Sequence, residues 1–507
     1  MLWGIIKDIM LQYYNIKYAL IISLVIHSFS AVSQDRDLIW PLGDKAGIDF
    51  AGDSAVPIMN LKQLNLYITN VSISDNKGNL LFYSNGIEVA NSLHDVMSNG
   101  DSLSPGKYTS VYSWSGMPTC QGAMIIPKPG DSLKYYIFHL NLDSNVGGHI
   151  IPDRLFYSVV DMSLDGGLGD LTAQKNVVVL QELLVEGRIA AVKHGNGRDW
   201  WLFVHKYETD RFSRFLITPS GIKGPYSQWI GYSMDYKDDW CGQTVFSPNG
   251  DMMANILRTG KIDVFDFDRC TGDLSNWRVL SDTSYNQVLG CSFSPNGQLL
   301  YVSTQTKLFQ FEVNVSNIDS TRVLIDTWDG SYSPSFPFAT YFGLHQLGPD
   351  GKIYVSTWNG TDVLHVIHKP DEKGTACSFV QKSLFYGANR YNGLGLPNNP
   401  NYKLGKLNGS MCDTLTNIDN APVPPQHISI YPNPFSIFAI IEIPETYQKE
   451  KDLSLTLYNL IGIEVRRIEN ITSDKIKINR DNLSPGLYFY KLEERDQIIA
   501  TGKVVIQ

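Results

Sequence analysis

A short turn-and-strand unit recurs through the middle of the chain, and it constrains the fold more than any other feature. Its clearest copies begin at residues 246–250 and 293–297, both Phe-Ser-Pro-Asn-Gly, and at residues 347–351, Leu-Gly-Pro-Asp-Gly. Proline presets φ and glycine accepts positive φ, so each copy predicts a tight turn. A run rich in β-branched and aromatic residues follows each turn, which predicts a strand and then a hairpin partner.

Units of this kind recur about every 47 to 66 residues between residues 34 and 415. Periods of about 40–50 residues with four strands per unit are typical of β-propeller blades. A single four-stranded sheet cannot cover both of its faces, whereas sheets stacked around a ring cover one another. Six units are clear, and the segments at either end could complete a seventh by sharing strands. The sequence therefore predicts an all-β chain with a β-propeller over residues 34–415, of seven blades with six as the alternative.

The composition favours β structure and argues against nucleic acid as a partner. Aromatic residues make up 12% of the chain, and these residues favour pleated, half-buried surfaces. The formal net charge is -9, and no long basic run is present. Because binding to nucleic acid depends on clustered lysine and arginine, we expect no nucleic-acid partner.

Residues 1–33 have the pattern of a signal peptide. Lys17 precedes an apolar run at residues 19–26, and Ala31 and Ser33 are the small residues that a signal peptidase requires, which predicts cleavage before Gln34. The apolar run is shorter than the roughly 20 residues of a membrane span. An uncleaved membrane anchor is the alternative, and no later stretch predicts a transmembrane segment in the mature chain.

The last part of the chain changes character. Residues 416–427 contain three prolines and almost no apolar side chains, which predicts an extended linker. Leu453, Leu455 and Leu457 then alternate with polar residues, and similar short runs continue to the end of the chain. Strands with one buried and one solvated face predict a small β-sandwich over residues 428–507.

Four segments of this predicted sandwich resemble the type A C-terminal sorting domain of the type IX secretion system of Bacteroidetes. They are residues 430–435 (Ile-Tyr-Pro-Asn-Pro-Phe), 457–462 (Leu-Tyr-Asn-Leu-Ile-Gly), 483–489 (Leu-Ser-Pro-Gly-Leu-Tyr-Phe) and 503–506 (Lys-Val-Val-Ile). The resemblance implies an immunoglobulin-like sandwich, the type IX machinery as a partner, and a secreted or outer-surface location. An ordinary immunoglobulin-like accessory domain is the alternative.

The large domain resembles uncharacterised propeller regions of secreted and gliding-associated Bacteroidetes proteins. The segments with this resemblance are 78–83, 126–130, 191–197, 268–272, 346–354 and 395–398. The resemblance implies the architecture and the location. It implies no activity and no catalytic residue.

The cysteines are Cys120, Cys241, Cys270, Cys291, Cys377 and Cys412. Export to an oxidising compartment permits disulfides, and six cysteines allow fifteen complete pairings. The chain has no CxxC motif, which argues against a zinc or thioredoxin-like site. Because Cys377 and Cys412 lie together near the end of the large domain, we expect them to pair. Buried free thiols are the alternative for the other four.

Three sets of side chains could take part in chemistry at a propeller surface. Histidines near predicted strand ends could supply metal ligands or acid–base groups at a channel mouth, although a structural role is more common. These histidines are His139, His149, His194, His205, His345, His365 and His368. Asp161, Asp165 and Asp170 could hold calcium, but their spacing departs from an EF-hand and favours a solvated turn. The tryptophans that could stack on a ligand, or pack between blades, are Trp114, Trp200, Trp201, Trp240, Trp328 and Trp358.

The chain lacks the GxSxG, HExxH and Walker patterns of common enzymes. We therefore assign no catalytic, cofactor-binding or metal-ligating residue, and no cofactor. The sequence favours a non-enzymatic protein, secreted or on the cell surface, that binds or adheres to a glycan or a protein. A propeller hydrolase or lyase acting on polysaccharide or a lactone is the alternative, because distant segments can assemble a propeller active site. A structural component of the cell surface or gliding machinery is a third hypothesis.

Overall fold

The computed structural model describes residues 35–413, apart from 53, 60–63, 108, 282–286 and 389, and residues 430–507, apart from 443–452, 460–462, 472, 474 and 495–496. The chain divides into two compact units, Met1–Thr414 and Leu415–Gln507. The predicted signal peptide, residues 1–33, and the predicted linker, residues 416–427, lie outside the described residues and stay predictions.

The described residues of the first unit form seven sheets of three or more antiparallel strands, which we number in chain order. Sheet 1 contains β1 (Ile39–Leu42), β2 (Ala46–Asp49) and β3 (Val56–Met59), and sheet 2 contains β4 (Val71–Ser74), β5 (Leu80–Ser84) and β6 (Val89–Asn91). Sheet 3 begins with β7 (Ala123–Pro127) and β8 (Lys134–Leu140). A separate hairpin of β9 (Ser144–Val146) and β10 (His149–Ile151) follows, and β11 (Arg154–Asp161), β12 (Asp170–Leu171) and β13 (Val177–Gln181) complete sheet 3.

Each of the next four sheets has four strands in chain order. Sheet 4 contains β14 (Ala190–Lys193), β15 (Trp200–His205), β16 (Arg211–Thr218) and β17 (Gly221–Trp229), and sheet 5 contains β18 (Thr244–Phe246), β19 (Met252–Leu257), β20 (Lys261–Phe267) and β21 (Leu274–Ser281). Sheet 6 contains β22 (Val288–Phe293), β23 (Leu299–Thr304), β24 (Lys307–Glu312) and β25 (Val323–Thr327), and sheet 7 contains β26 (Phe342–Leu347), β27 (Ile353–Thr357), β28 (Val363–Ile367) and β29 (Phe379–Phe385). Short 3-10 helices lie at Thr109–Tyr112, Asp165–Gly167, Tyr236–Asp238, Ile318–Thr321 and Gly374–Cys377.

The repeated turns form between the first and second strands of sheets 5, 6 and 7, as predicted. Gly250, Gly297 and Gly351 have φ angles of 74°, 71° and 76°, in the left-handed region that glycine enters without a Cβ clash. The N–H of Gly250 donates to the carbonyl of Ser247 at 2.8 Å, and the other two turns close in the same way. The turn chemistry therefore sets where each of these first strands ends.

The sheets form a ring because sheet 1 packs between sheet 7 and sheet 2. The rings of Trp40 and Phe50 lie 5.5 and 5.4 Å from the ring of Tyr354 in sheet 7. On the other side, Asn70 donates to the carbonyl of Pro41 at 2.8 Å. The unit is thus a β-propeller, as predicted. Its blade count stays a prediction. Sheet 1 takes its described strands from residues 39–59, and the N–H of Asp44 in its first hairpin donates to the carbonyl of Tyr391, which follows sheet 7, at 2.8 Å.

The chain after sheet 7 crosses the central channel, and we call residues 394–413 the crossing segment. Asn398 donates through Nδ2 to the carbonyls of Ala123 and Ile189, both at 2.9 Å, so it connects the start of sheet 3 with the start of sheet 4. Tyr402, with 1% of its surface exposed, donates to the carbonyl of Ile125 at 2.9 Å. These contacts fix the path of the crossing segment inside the ring.

Two disulfides join parts of the ring that are distant in sequence. Cys120 pairs with Cys241 and Cys270 pairs with Cys412, across separations of 121 and 142 residues. The predicted pairing of Cys377 with Cys412 is therefore wrong. The crossing segment takes Cys412 away from sheet 7 and to the loop between β20 and β21 that holds Cys270, so nearness in sequence is no guide here. Cys291 and Cys377 are buried free thiols.

The described residues of the second unit form two packed sheets. Its strands are β30 (Ile430–Tyr431), β31 (Phe438–Glu442), β32 (Leu453–Tyr458), β33 (Glu464–Ile471), β34 (Lys475–Asn479), β35 (Gly486–Glu494) and β36 (Gln497–Ile506). One sheet has the order β30-β31-β34 and the other has the order β33-β32-β35-β36. Leu453, Leu455 and Leu457 are buried, as their alternation predicted, with Ile476 and Ile478 of the other sheet in the same core. The predicted small β-sandwich is confirmed.

Candidate functional site

The two mouths of the propeller channel are built from different parts of each sheet. Residues at the beginnings of first strands meet in one apolar cluster that includes Cys120, Cys241 and Leu289. The turns that follow first strands lie at the other end, with Pro248 and Pro295 in the wall of a cavity that extends into the channel as far as Gln121 and Thr244. We call the first end the loop mouth, because loops enter the first strands there, and the second end the turn mouth.

A cavity of about 670 Å³ opens at the loop mouth. Its wall comes from the β9–β10 hairpin, from the loops before β14, β18 and β22, and from the loops after β19 and β27. The lining residues are Gly148, His149, Ile150, Glu186, Tyr236, Lys237, Asp239, Trp240, Arg258, Thr259, Gln287 and Trp358. Small-molecule sites typically have volumes of about 300–1,000 Å³, so this cavity has the size of a ligand site.

Two acidic residues with raised pKa values, Glu186 and Asp239, line this cavity. The backbone N–H of Glu186 donates to Oδ1 of Asp239 at 2.7 Å, which holds the two loops together. Burial raises the pKa of Glu186 well above its usual range, and the charge of Asp239 raises it further. Burial also raises the pKa of Asp239, to about 6. Burial thus favours the protonated form of Glu186, while Asp239, with a pKa of about 6, is mostly ionised near neutral pH.

A buried arginine offsets the negative charge of this pair. Arg188 has 1% of its surface exposed, and its Nη2 donates to the carbonyl of Asp238 at 2.8 Å. Its φ of 61° lies in the left-handed region, which is uncommon for a residue with a side chain. Gly242 makes room for the guanidinium, because a Cβ there would lie 2.7 Å from Nη2. The loop backbone thus places a positive charge beneath the carboxyl pair.

Aromatic side chains form another part of the wall. The rings of Trp240 and Trp358 lie 4.9 Å apart and meet edge to face, and both side chains are half-buried. The guanidinium of Arg258 lies 4.6 Å from the centre of the Trp240 ring, a cation–π contact. The exposed ring of His149 lies 5.8 Å from the ring of Tyr236 at the rim.

The arrangement offers two kinds of chemistry. An acid with a raised pKa beside a carboxylate supplies a proton donor and a proton acceptor in one cavity. Half-buried tryptophans with cations beside them supply a surface for a ligand that has an apolar face and polar edges. Within the described residues, no group of three or more His, Cys, Asp or Glu side chains has the arrangement of a metal site.

The structure places the predicted histidines in different environments. His149 lines the loop-mouth cavity. Burial lowers the pKa values of the following histidines to about 3 or 4, so they are neutral core side chains: His139, His205, His345 and His365. His194 Nε2 donates to the carbonyl of Cys270 at 3.0 Å, and His368 Nε2 lies 2.9 Å from Ser383 Oγ. A single predicted histidine therefore reaches the candidate site.

The predicted tryptophans divide between the site and the packing of the sheets. Trp240 and Trp358 meet in the loop-mouth cavity. Trp200 and Trp201 are buried in the cores of the sheets. Trp328 packs against a core cluster of sheets 6 and 7, and Trp114 lies on the surface with 72% of its area exposed. These roles match the two uses that the sequence left open.

The aspartates of the glycine-rich loop bond to neighbouring groups. Asp161 accepts a hydrogen bond from the N–H of Ser163 at 2.9 Å and lies 3.5 Å from Nζ of Lys134. Asp170 accepts from the N–H of Asn99 at 2.9 Å. Asp165 begins the short 3-10 helix of this loop with a positive φ of 49°. These contacts fit the turn that the spacing favoured.

Sequence reasoning missed Glu186, Arg188, Asp239 and Arg258. Each lies in an irregular loop before a first strand or after a second strand, where no periodic pattern marks it. One signal was present, because two aspartates, a tryptophan and a cysteine stand together at residues 238–241, directly before a first strand. Polar and aromatic residues in loops at one end of a rigid scaffold commonly carry function.

A family model agrees with the export route. Residues 429–507 match the family model described as the secretion system C-terminal sorting domain. The second unit is therefore a type IX sorting domain, and the protein is secreted or attached to the outer cell surface. The chain has no match among curated proteins. Within the described residues, no helix has the length and apolarity to cross a membrane.

Several solved structures match a large part of this chain at low similarity. A "putative 6-phosphogluconolactonase" from Bacteroides uniformis is 15% identical with a TM-score of 0.39, over 72% of this chain and 98% of that chain. The Dos1 propeller is 11% identical with a TM-score of 0.34, over 63% and 76%. Citrobacter koseri AztD is 12% identical with a TM-score of 0.32, over 70% and 85%. At these values the likeness supports no argument about function.

Proposed function

We propose that this exported propeller binds a glycan in the loop-mouth cavity. The observation that supports the proposal most is the pairing of Trp240 and Trp358 in a cavity whose adjacent wall is charged. A sugar ring has an apolar face that suits an aromatic side chain, and it has hydroxyl groups that need hydrogen-bonding partners when they leave water. The cavity offers an aromatic surface and hydrogen-bonding groups to the same ligand.

The charged wall has complementary hydrogen-bonding groups for sugar hydroxyls. The raised pKa of Glu186 favours its protonated form, which donates a hydrogen bond, and the carboxylate of Asp239 accepts one. Arg258 and Lys237 add donors on the same wall. Charged partners form stronger hydrogen bonds than neutral ones, so they select ligands with closely spaced hydroxyl or acidic groups.

A glycan array probed with the full-length secreted protein tests this proposal. The expected result is selective binding to a class of glycans, with binding weakened about tenfold or more by Trp358→Ala, because one large aromatic contact is removed. Trp114→Ala is the matched control, since Trp114 is exposed and lies outside the cavity lining. Unchanged binding in Trp358→Ala, or an equal loss in Trp114→Ala, would reject the site.

A hydrolase or lyase is the second candidate function, and one observation favours it. Glu186 and Asp239 have raised pKa values in one cavity, which suits a general acid beside a carboxylate. If this function holds, Glu186→Gln keeps glycan binding and lowers turnover about 100-fold or more, measured as release of new sugar ends from the polymers that the array selects. Binding without turnover in the wild-type protein would reject the enzyme and leave the binding function.

A further inference from the structure

The loop that joins sheet 6 to sheet 7, residues 328–341, is rich in aromatic side chains, and we call it the aromatic loop. Its aromatic residues are Trp328, Tyr332, Phe336, Phe338 and Tyr341. Tyr332 and Phe338 have 59% and 44% of their surface exposed. Single exposed apolar side chains are normal in soluble proteins, whereas several of them in one place mark a surface that contacts another molecule.

Hydrogen bonds hold the aromatic loop in a defined shape. The N–H of Thr340 donates to the carbonyl of Ser331 at 3.1 Å, and the N–H of Ser333 donates to the carbonyl of Phe338 at 2.9 Å. The hydroxyl of Ser333 also donates to the buried side chain of Asp362, which follows β27. The exposed aromatic side chains therefore extend from a backbone that is fixed before any ligand arrives.

The aromatic loop contacts the wall of the loop-mouth cavity. Trp358 lines that cavity, and its backbone N–H donates to the carbonyl of Tyr341 at 2.9 Å. In the next residue, Nδ2 of Asn359 donates to the carbonyl of Ala339 at 3.2 Å. The two ends of this short stretch thus join the cavity to the aromatic loop.

Ring contacts continue from this junction to the exposed part of the loop. The ring centres of Tyr341 and Trp328 lie 4.5 Å apart, and those of Trp328 and Tyr332 lie 6.4 Å apart. Phe336, in the middle of the loop, lies 5.8 Å from the ring of Tyr391, which follows sheet 7. A connected set of aromatic rings therefore leads from the cavity wall to the surface of the protein.

We infer that the loop-mouth site binds an extended glycan chain, with one unit in the cavity and the following units on the aromatic loop, an extension that rests on the proposed function of the cavity. Each unit of a glycan chain presents an apolar face and hydroxyl edges, so aromatic side chains beside the cavity suit the units that follow the first. The exposed Tyr332 also presents a hydroxyl group that can hydrogen-bond to the chain.

Titration calorimetry on the full-length protein with oligosaccharides of two lengths tests this inference. The probes are the disaccharides and hexasaccharides of the cello-, laminari-, manno- and N-acetylchito-oligosaccharide series. In a series that binds, we expect the hexasaccharide to bind about tenfold or more tighter than the disaccharide, because it adds contacts with the aromatic loop. Equal affinities for the two lengths would overturn the extended site and leave the cavity as the glycan site. Absence of binding in every series would count against both.

Substitutions in the aromatic loop separate its role from that of the cavity. Tyr332→Ala should weaken the hexasaccharide about fivefold and leave the disaccharide unchanged, and Phe338→Ala is a second variant with the same expected pattern. Trp358→Ala should weaken both lengths. The matched control is Tyr226→Ala, which removes a tyrosine with 43% of its surface exposed on β17 of sheet 4 and should bind as the wild type does.

Two results with these variants would overturn the inference. One is wild-type affinity for the hexasaccharide in both Tyr332→Ala and Phe338→Ala, with both proteins folded by circular dichroism. The other is a dimer of the wild-type protein in sedimentation velocity that Tyr332→Ala dissociates, because the aromatic loop would then contact a second copy of the chain.

Discussion

The two mouths of the channel belong to one ring but have different chemistry. At the turn mouth, proline and glycine fix each turn, so the same side-chain types recur around the channel and the polar groups are largely neutral. At the loop mouth, irregular loops enter the first strands, and they bring together Glu186, Asp239, Arg258 and two tryptophans. The repeat therefore constrains the residues at one end of the propeller, whereas the loops at the other end can vary and position functional side chains.

The largest effect is expected from the two disulfides. The Cys120–Cys241 bond lies at the loop mouth, and the Cys270–Cys412 bond lies on the side of the turn mouth. Replacing Cys120 and Cys241, or Cys270 and Cys412, by serine should lower the free energy of unfolding by about 3–5 kcal/mol in either case, because each bond closes a long loop. Urea unfolding without reductant measures this loss. We expect only the Cys120/Cys241 variant to weaken glycan binding, because Cys241 follows Trp240 directly. A loss below about 1 kcal/mol at both places would contradict the pairings.

The next prediction concerns the crossing segment, which lies between the two mouths. Asn398→Ala removes the partner of two backbone carbonyls and of Gln121 Nε2, so it should lower the free energy of unfolding by about 3 kcal/mol. Asn401→Ala is the control, because the exposed side chain of Asn401 donates to the carbonyl of Pro248 and accepts from the N–H of Lys403, and the loss of these solvent-exposed bonds should cost about 1 kcal/mol. Equal losses in urea unfolding would show that Asn398 has no special role.

Much of the fold could be predicted because it depends on local chemistry. The Pro-Asn-Gly turns, the alternation at Leu453, Leu455 and Leu457, and the sorting-domain motifs each specify structure within a few residues. The disulfides could not be predicted in the same way. The position of Cys412 depends on tertiary contacts of the crossing segment, which no local pattern records.

Most of the candidate site could not be predicted from the sequence, for a related reason. Glu186 and Asp239 are 53 residues apart, and their pKa values depend on burial that exists only after the ring closes. Trp240 and Trp358 were among the predicted stacking residues, but the sequence could not separate them from the buried Trp200 and Trp201. The contacts between loops therefore determine which residues form the site, and the identity of single residues does not.

A smaller effect is expected from the buried histidine of sheet 3. His139 has a pKa of about 3 in the folded protein, and its ordinary value of about 6.5 applies after unfolding. As the pH falls below 6.5 the unfolded state takes up the proton first, so stability is present above that pH and is lost toward pH 3. At pH 5 the expected loss is about 2 kcal/mol from this group. Thermal unfolding of His139→Gln should show a shallower loss between pH 7 and 5, and an unchanged slope would contradict the assignment.

The smallest effect should come from the carboxyl pair, because Arg188 and Arg258 offset its charge. Because the pKa of Glu186 is raised in the folded protein, the contribution of this group to stability is fully present below the usual pKa of a glutamate and is lost as the pH rises from there to the folded value. Glu186→Gln removes the ionisable group, so its stability should fall less than that of the wild type as the pH rises above the usual pKa of a glutamate. A steeper fall in the variant would contradict a raised pKa.

The most direct test of the account is the dissociation constant of the best glycan from the array, measured by titration calorimetry on three full-length proteins. We expect Trp358→Ala at the loop mouth to weaken binding of this glycan about tenfold or more, and Asn399→Leu at the turn mouth to bind it as the wild type does. Unchanged affinity in Trp358→Ala together with a loss of affinity in Asn399→Leu would place the glycan at the turn mouth, which would contradict glycan binding at the loop mouth.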